Sequence, residues 1–208
     1  MFAQKSRSER GLDAFQRRNW KSARRLFEEV GHARRAGEDY HLGLLYWRGL
    51  GGDRDLKAAA ACFRRAAEQG HAAAQTAFAL ALQAGAGVGK DEAAAASLFR
   101  MAAGAGDRDA MVELATLSGS HEAMTLLRRA ADLGHPAAMR RLADILMRND
   151  PVGALALLYA EAAMTGDDGA RVRAAKLARE MKPAEITQAQ RTGRAFAEAA
   201  VKRLRGYS

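Results

Sequence analysis

The chain has 208 residues with three prolines and one cysteine; 49% of it is hydrophobic but only 6% aromatic. A single cysteine excludes an intrachain disulfide and fits a reducing compartment, and no run approaches the roughly 18 consecutive apolar residues of a membrane span. The net charge of +9 is uneven (+4 over residues 1–40, +2 over 41–106, −4 over 107–170, +7 over 171–208), so no uniform basic stripe runs along the chain.

Met1 to Arg18 is basic but lacks an unbroken apolar stretch, so it does not read as a secretory signal, and a cytoplasmic protein is expected. Arg7 to Arg17 and Trp20 to Val30 read as a first helix pair within residues 1–37. A short phrase then recurs four times: Ala66-Ala67-Glu68-Gln69-Gly70, Ala102-Ala103-Gly104-Ala105-Gly106, Ala130-Ala131-Asp132-Leu133-Gly134 and Ala162-Ala163-Met164-Thr165-Gly166. Its glycines lie 36, 28 and 32 residues apart. That period marks stacked helix pairs, each burying its apolar face only against its neighbours. The expected units are 38–73, 74–109, 110–137 and 138–169, with closing helices over 170–208.

Within a unit, helix A spans about 38–48 or 74–84, with Leu42, Leu45 and Tyr46 facing inward at i, i+3, i+4 spacing. A Gly-rich loop follows, and Asp55 or Asp91 is placed to cap helix B. Helix B buries Ala59, Phe63, Ala66 and Ala67, matched 36 residues on by Ala95, Phe99, Ala102 and Ala103. The phrase glycine stands where a left-handed residue ends a helix. In the shorter third unit, Met111 to Leu117 meets helix B through Ser118-Gly119-Ser120, with Ser120 expected as N-cap. In the fourth, Asp150-Pro151 reads as N-cap followed by proline at the first helical position. Ala170 to Lys182 and Glu185 to Arg205 complete the chain, broken at Pro183.

The pattern Leu42-Gly43-x-x-Tyr46-x-x-Gly49-x-Gly51, then Asp55-x-x-Ala58 and Arg65-Ala66-Ala67-Glu68-Gln69-Gly70-His71, resembles the Sel-1-like repeat of the tetratricopeptide-like superfamily. The second unit keeps Gly85-x-Gly87 and Asp91 but has Ala79 for the glycine of the Leu-Gly pair. The third and fourth lack the loop, and Asn19-Trp20-Lys21-Ser22-Ala23 with Phe27 is closer to a plain tetratricopeptide unit. Glu185 to Arg191 is similar to a tail that closes bacterial members. The resemblance implies an all-α, right-handed α-solenoid of antiparallel helix pairs, and a non-enzymatic adaptor that binds a peptide or protein partner. A branch linked to β-lactam hydrolysis has a cysteine pair in each repeat, which this chain lacks.

In tetratricopeptide-like arrays the helix A faces line a concave groove. Carried over, those positions are Tyr40, Leu44, Trp47 and Arg48; Thr76, Leu80 and Gln83; Val112 and Thr116; and Arg140, Asp144, Met147 and Arg148. Trp47 and Arg48 stand out, because aromatics and arginine dominate binding hot spots. The alternative is that Tyr40 and Trp47 only pack against the N-terminal helix pair.

No catalytic constellation, cofactor or metal site is expected. His71 and His135 share a repeat position and read as caps or packing, while His32, His41 and His121 have no ligand spacing. Cys62, in an alanine-rich helix, reads as a buried inert thiol. Gly85 to Lys90 looks like a phosphate loop but lacks the preceding strand and the following Ser/Thr. The arginine doublets, from Arg17-Arg18 to Arg140-Arg141, read mainly as a solvated outer face, with nearby acids neutralising several. The tail Lys202-Arg203-Leu204-Arg205 is read as unpaired. The competing function is binding of a polyanion, nucleic acid or an anionic membrane surface, through the basic ends; nucleic acid is disfavoured by the acidic third quarter and the lack of aromatics to stack bases.

Overall fold

The computed structural model describes residues 5–30 and 35–206, and among them it contains twelve α-helices and no strand. Two compact units divide the chain, Met1–Ala110 and Met111–Ser208. The first holds α1 (Arg7–Gln16), α2 (Trp20–Val30), α3 (Ala36–Arg48), α4 (Leu56–Glu68), α5 (Ala72–Ala84) and α6 (Glu92–Gly104). The boundary falls inside α7 (Arg108–Leu117), and the second unit continues with α8 (Ser120–Asp132), α9 (Pro136–Leu146), α10 (Pro151–Thr165), α11 (Asp168–Ala178) and α12 (Pro183–Gly206).

The recurring phrase is a helix terminator in which the two alanines and the glycine each have a task. At the end of α4 the Gly70 amide donates to the Ala67 carbonyl at 2.9 Å and the His71 amide to Ala66 at 3.1 Å. This is the paired-bond Schellman end, closed by a left-handed residue, and Gly70 has φ +82. The two alanines therefore supply both accepting carbonyls and the close contact, being 0% and 6% exposed. The same pair of bonds closes α6 on Ala102 and Ala103, and α8 on Ala130 and Ala131. The fourth copy ends differently, with one bond from the Gly166 amide to the Ala162 carbonyl.

Helix starts follow local chemistry as well. The carboxylates of Asp55, Asp91 and Asp150 accept from the amides of Ala58, Ala94 and Gly153 at 2.8–2.9 Å. His71 and His135 cap through Nδ1, each accepting from the amide three residues on at 3.2 Å. His71 therefore starts α5 at Ala72, two residues before the expected Ala74. Ser120 is not the cap of α8. Gly119 is, in extended conformation, and Ser120 is already the first helical residue. Asp167 caps α11, which starts at Asp168, two residues before the expected Ala170, and Pro183 opens α12, so that helix starts before Glu185.

In the first unit, Phe27, Phe63 and Phe99 recur 36 residues apart, each fully buried. Burying a phenylalanine contributes about 1.5–3 kcal/mol, so these rings are the principal apolar anchors. Glycines let helices close on them: a Cβ at Gly43 would lie 2.5 Å from the Phe63 ring, and one at Gly11 would lie 2.8 Å from Phe27. The N-terminal pair thus repeats the Gly-on-Phe contact of the first full unit. Its α2 is also tied to α3 by Tyr46, whose hydroxyl donates to Glu28 at 2.8 Å while the Arg24 guanidinium lies 4.3 Å over the ring. Burial, with Glu28 beside it, pushes the Tyr46 phenol up to about 12.

The second unit is organised around α10, which is apolar on nearly every side. Helices α9, α11 and α12 all pack on it. The 24-residue α12 runs back past α11 onto α10 and touches α8. Its Ala189, Gly193, Ala197 and Ala200 form the contacting stripe, and a Cβ at Gly193 would lie 2.5 Å from the Ala156 carbonyl oxygen. The tail read as unpaired is partly engaged: Arg203 donates to the Asp132 carbonyl at 2.8 Å, and Leu204 would lie 3.1 Å from a Cβ on Gly134. Among the described residues no helix is long and apolar enough to cross a membrane.

Candidate partner-binding surface

On α3, residues 40, 44, 47 and 48 fall at i, i+4, i+7 and i+8, one stripe of the helix. Tyr40, Leu44 and Trp47 are half-buried and Arg48 is exposed. One side chain backs both aromatic rings: Phe63 of α4 lies 6.1 Å from the Tyr40 ring and 6.2 Å from that of Trp47. Tyr40 also stacks on His71, with centroids 4.8 Å apart. Arg54 holds Trp47 from the loop, donating to its carbonyl at 3.0 Å with the guanidinium 5.9 Å from the indole. The rings that meet the N-terminal pair are different ones: Phe15 and Phe27 contact His41, and Trp20 joins that cluster with Tyr46. Tyr40 and Trp47 are thus fixed from behind by their own repeat, each with part of a ring still open.

On α5 the expected positions divide. Gln83 is half-buried and Leu80 is exposed, but Thr76 is buried. The Thr76 hydroxyl donates to Asp107 at 3.0 Å, and the same carboxylate oxygen accepts the Ala110 amide at 2.8 Å. Thr76 therefore braces the start of α7. Asp107 stands at the repeat position of His71 and His135, so the register alone identifies it as a cap. Burial raises the Tyr40 phenol above its ordinary value, and the carboxylates of Asp107 and Asp109 add to that. Burial lowers His41 and His71, keeping both imidazoles neutral to lower pH.

In the second unit, Val112 is buried and Thr116 is exposed, its hydroxyl donating to the Glu113 carbonyl. Arg140 donates through Nε to Glu161 at 2.9 Å and lies 3.7 Å from Asp167. Asp144 is ion-paired with Arg173. Helix α9 ends at Leu146, so Met147 is its C-cap and Arg148 lies in the following turn, not on the helix face where the repeat pattern put it.

Two helix A–helix B ion pairs escaped sequence reasoning. Arg65 of α4 grips the buried Asp39 of α3 with two bonds, 2.8 and 3.3 Å. Glu161 of α10 is 0% exposed and meets Arg140 of α9. Arg65 and Glu161 each stand five residues before a phrase glycine, yet their charges are opposite. The Glu161 Oε2 has no hydrogen-bond partner among the described residues. Cys62 is buried as expected, with Arg65 Nη2 3.3 Å from its Sγ. No three His, Cys, Asp or Glu among the described residues are grouped to hold a metal ion; His32 and Arg34 lie outside those residues.

The family model of the Sel1 repeat matches residues 39–71, 72–107 and 118–135. Among solved structures, the chain is similar to a Sel1 repeat protein from Oxalobacter formigenes, at 22% identity with a TM-score of 0.75, over 98% of this chain and 88% of that one. It is also similar to c5321, a protective antigen present in uropathogenic Escherichia coli strains and displaying an SLR fold. That match has 22% identity and a TM-score of 0.71, over 95% of this chain and 47% of the antigen. No curated protein matches the chain in sequence. The fold is accordingly that of the Sel1 repeat proteins, an all-α stack of helix pairs.

Proposed function

The chain carries Sel1 repeats, and from that premise we propose that it is an adaptor whose α3–α5 face holds a peptide segment of a protein partner. The Sel1 repeat family generally mediates protein–protein interaction, and its members are generally non-catalytic scaffolds. The observation that carries the reading is the pair Tyr40 and Trp47, both backed by Phe63 and both partly open. Rigid, half-exposed aromatics gain contact area on binding with little ordering cost, which is why they recur among hot spots. Leu44 and Arg48 lie on the same stripe of α3, and the exposed Leu80 and half-buried Gln83 are the α5 positions assigned to the same face. Residues 138–169 read as a degenerate fourth repeat, supported by the His135 cap just before them and the left-handed Gly166 that ends α10.

Binding of a polyanion through the basic ends is less well supported. Arg24, Arg25 and Arg64 sit in i,i+4 pairs with acids, and Arg203 is engaged with Asp132. The test is affinity capture from the native cell with the full chain and with Trp47→Ala/Arg48→Ala. Loss of the captured partner, with helicity and thermal midpoint retained, is the expected result. Unchanged capture would remove this face from the account.

A further inference from the structure

We propose that the cleft between α10 and α12 in the second unit is a docking site for an acidic amphipathic helix of another protein. The cleft is open to solvent and has a volume of about 850 Å³. Its floor is apolar, formed by Tyr159 and Met164 of α10 and by Ala197 and Val201 of α12. Cations rim it: Arg194, Lys202 and Arg205 on α12, against the single carboxylate of Glu198. Among the described residues none of these three cations forms an ion pair, unlike Arg203 on the adjacent turn. From Gln190 to Arg205 the lining stretch of α12 spans about 22 Å, at roughly 1.5 Å per residue, or some four turns.

The occupant's conformation follows from what the cleft offers a backbone. Both walls are helices, so no strand edge is available to pair amide and carbonyl groups over the apolar floor. A bound segment must satisfy its own hydrogen bonds, and a helix does so internally. Two packed helices also present the ridges and grooves into which a third helix fits. The rim selects charge: acidic residues flanking an apolar stripe meet three free cations, and basic residues meet repulsion.

The test uses the full chain and a labelled peptide of about 14 residues, with leucines at i, i+3, i+4 and i+7 and glutamates on the flanks. Its twin carries lysines for the glutamates. Anisotropy should show saturable binding of the acidic peptide, weakened about tenfold or more by R194E/K202E/R205E and lost for the lysine twin, because reversal turns each attraction into repulsion. Glu198→Lys should tighten binding a few-fold. Circular dichroism must show unchanged helicity in both variants, which alter only exposed side chains. Equal binding of the two peptides, indifference to charge reversal, or no binding at about 1 mM would overturn the proposal. So would charge-sensitive retention on vesicles of about 30% phosphatidylserine without peptide binding. The cleft lies wholly within Met111–Ser208, so its failure would leave the reading of the α3–α5 face intact.

Discussion

Gly70 and Gly87 both sit in left-handed backbone, at φ +82 and +74, yet replacing each with alanine should cost very different amounts. An L residue there is strained by about 1–2 kcal/mol. A Cβ on Gly70 would meet no atom within 4 Å, so strain is the whole effect, and Gly70→Ala should cost about 1 kcal/mol after the smaller unfolded-chain entropy offsets part of it. A Cβ on Gly87 would stand 2.0 Å from the Leu56 carbonyl oxygen and 2.6 Å from the Lys57 nitrogen. These are backbone atoms at the start of α4 and cannot swing aside, so overpacking of about 1–3 kcal/mol adds to the strain. Gly87→Ala should therefore cost about 3 kcal/mol, or a fall of roughly 10 °C in Tm for a chain of this size. Gly89, with no positive φ and no atom within 4 Å, is the control, and Gly89→Ala should change little. All three lie in the unit Met1–Ala110, so a urea titration followed by circular dichroism reads them from one transition. Equal losses for Gly70→Ala and Gly87→Ala would refute the docking of the Gly87 loop on the start of α4.

Two further outcomes follow from the buried ionisable groups. Burial holds His71 below 6.5, and its Nδ1 must stay unprotonated to accept the Ala74 amide. The unfolded chain then binds more protons between the two pKa values, so this stability is complete above 6.5 and is lost as pH falls below it. Tm should drop on acidification from about pH 7.5 to 5, and His71→Asn, which keeps the cap, should flatten that slope; an unaltered slope would exclude His71 as its source. Arg140→Ala leaves the buried Glu161 carboxylate uncompensated and should cost about 3 kcal/mol, with much of it recovered in Arg140→Leu/Glu161→Leu. Arg173→Ala, which frees only the exposed Asp144, should cost about 0–1 kcal/mol; similar denaturation midpoints for Arg140→Ala and Arg173→Ala would contradict this.

The parts of the fold legible in the sequence were those decided within a few residues. A left-handed glycine, an aspartate before a helix and a proline at its first turn each act through local hydrogen bonds, so Gly70, Asp55 and Asp150 could be assigned by position. The 36-residue register extended that reach by placing Phe63 and Phe99 in the core. Ser120 failed because the adjacent Gly119 adopts the extended cap conformation first. Contacts made across long stretches left no local trace. The burial of Thr76 depends on Asp107, 31 residues away, and the engagement of Arg203 on Asp132, 71 away. The return of α12 onto α10 was written as small residues at helical spacing, but such a stripe does not name its partner. On the candidate face, Tyr40 and Trp47 could be placed on one stripe of α3, but their shared support on Phe63 required the structure.

Arrays of similar units face a hazard that ordinary domains avoid: during folding, a helix can dock on the wrong copy of its partner. The opposed polarity of the two helix A–helix B ion pairs works against that error. With Asp39 matched to Arg65 and Arg140 matched to Glu161, an exchange of partners would set carboxylate against carboxylate and guanidinium against guanidinium. The cost falls chiefly on the carboxylates, because Asp39 and Glu161 are buried and each would lose its cation. Repeats that are nearly interchangeable in shape are thus made distinguishable to one another by charge.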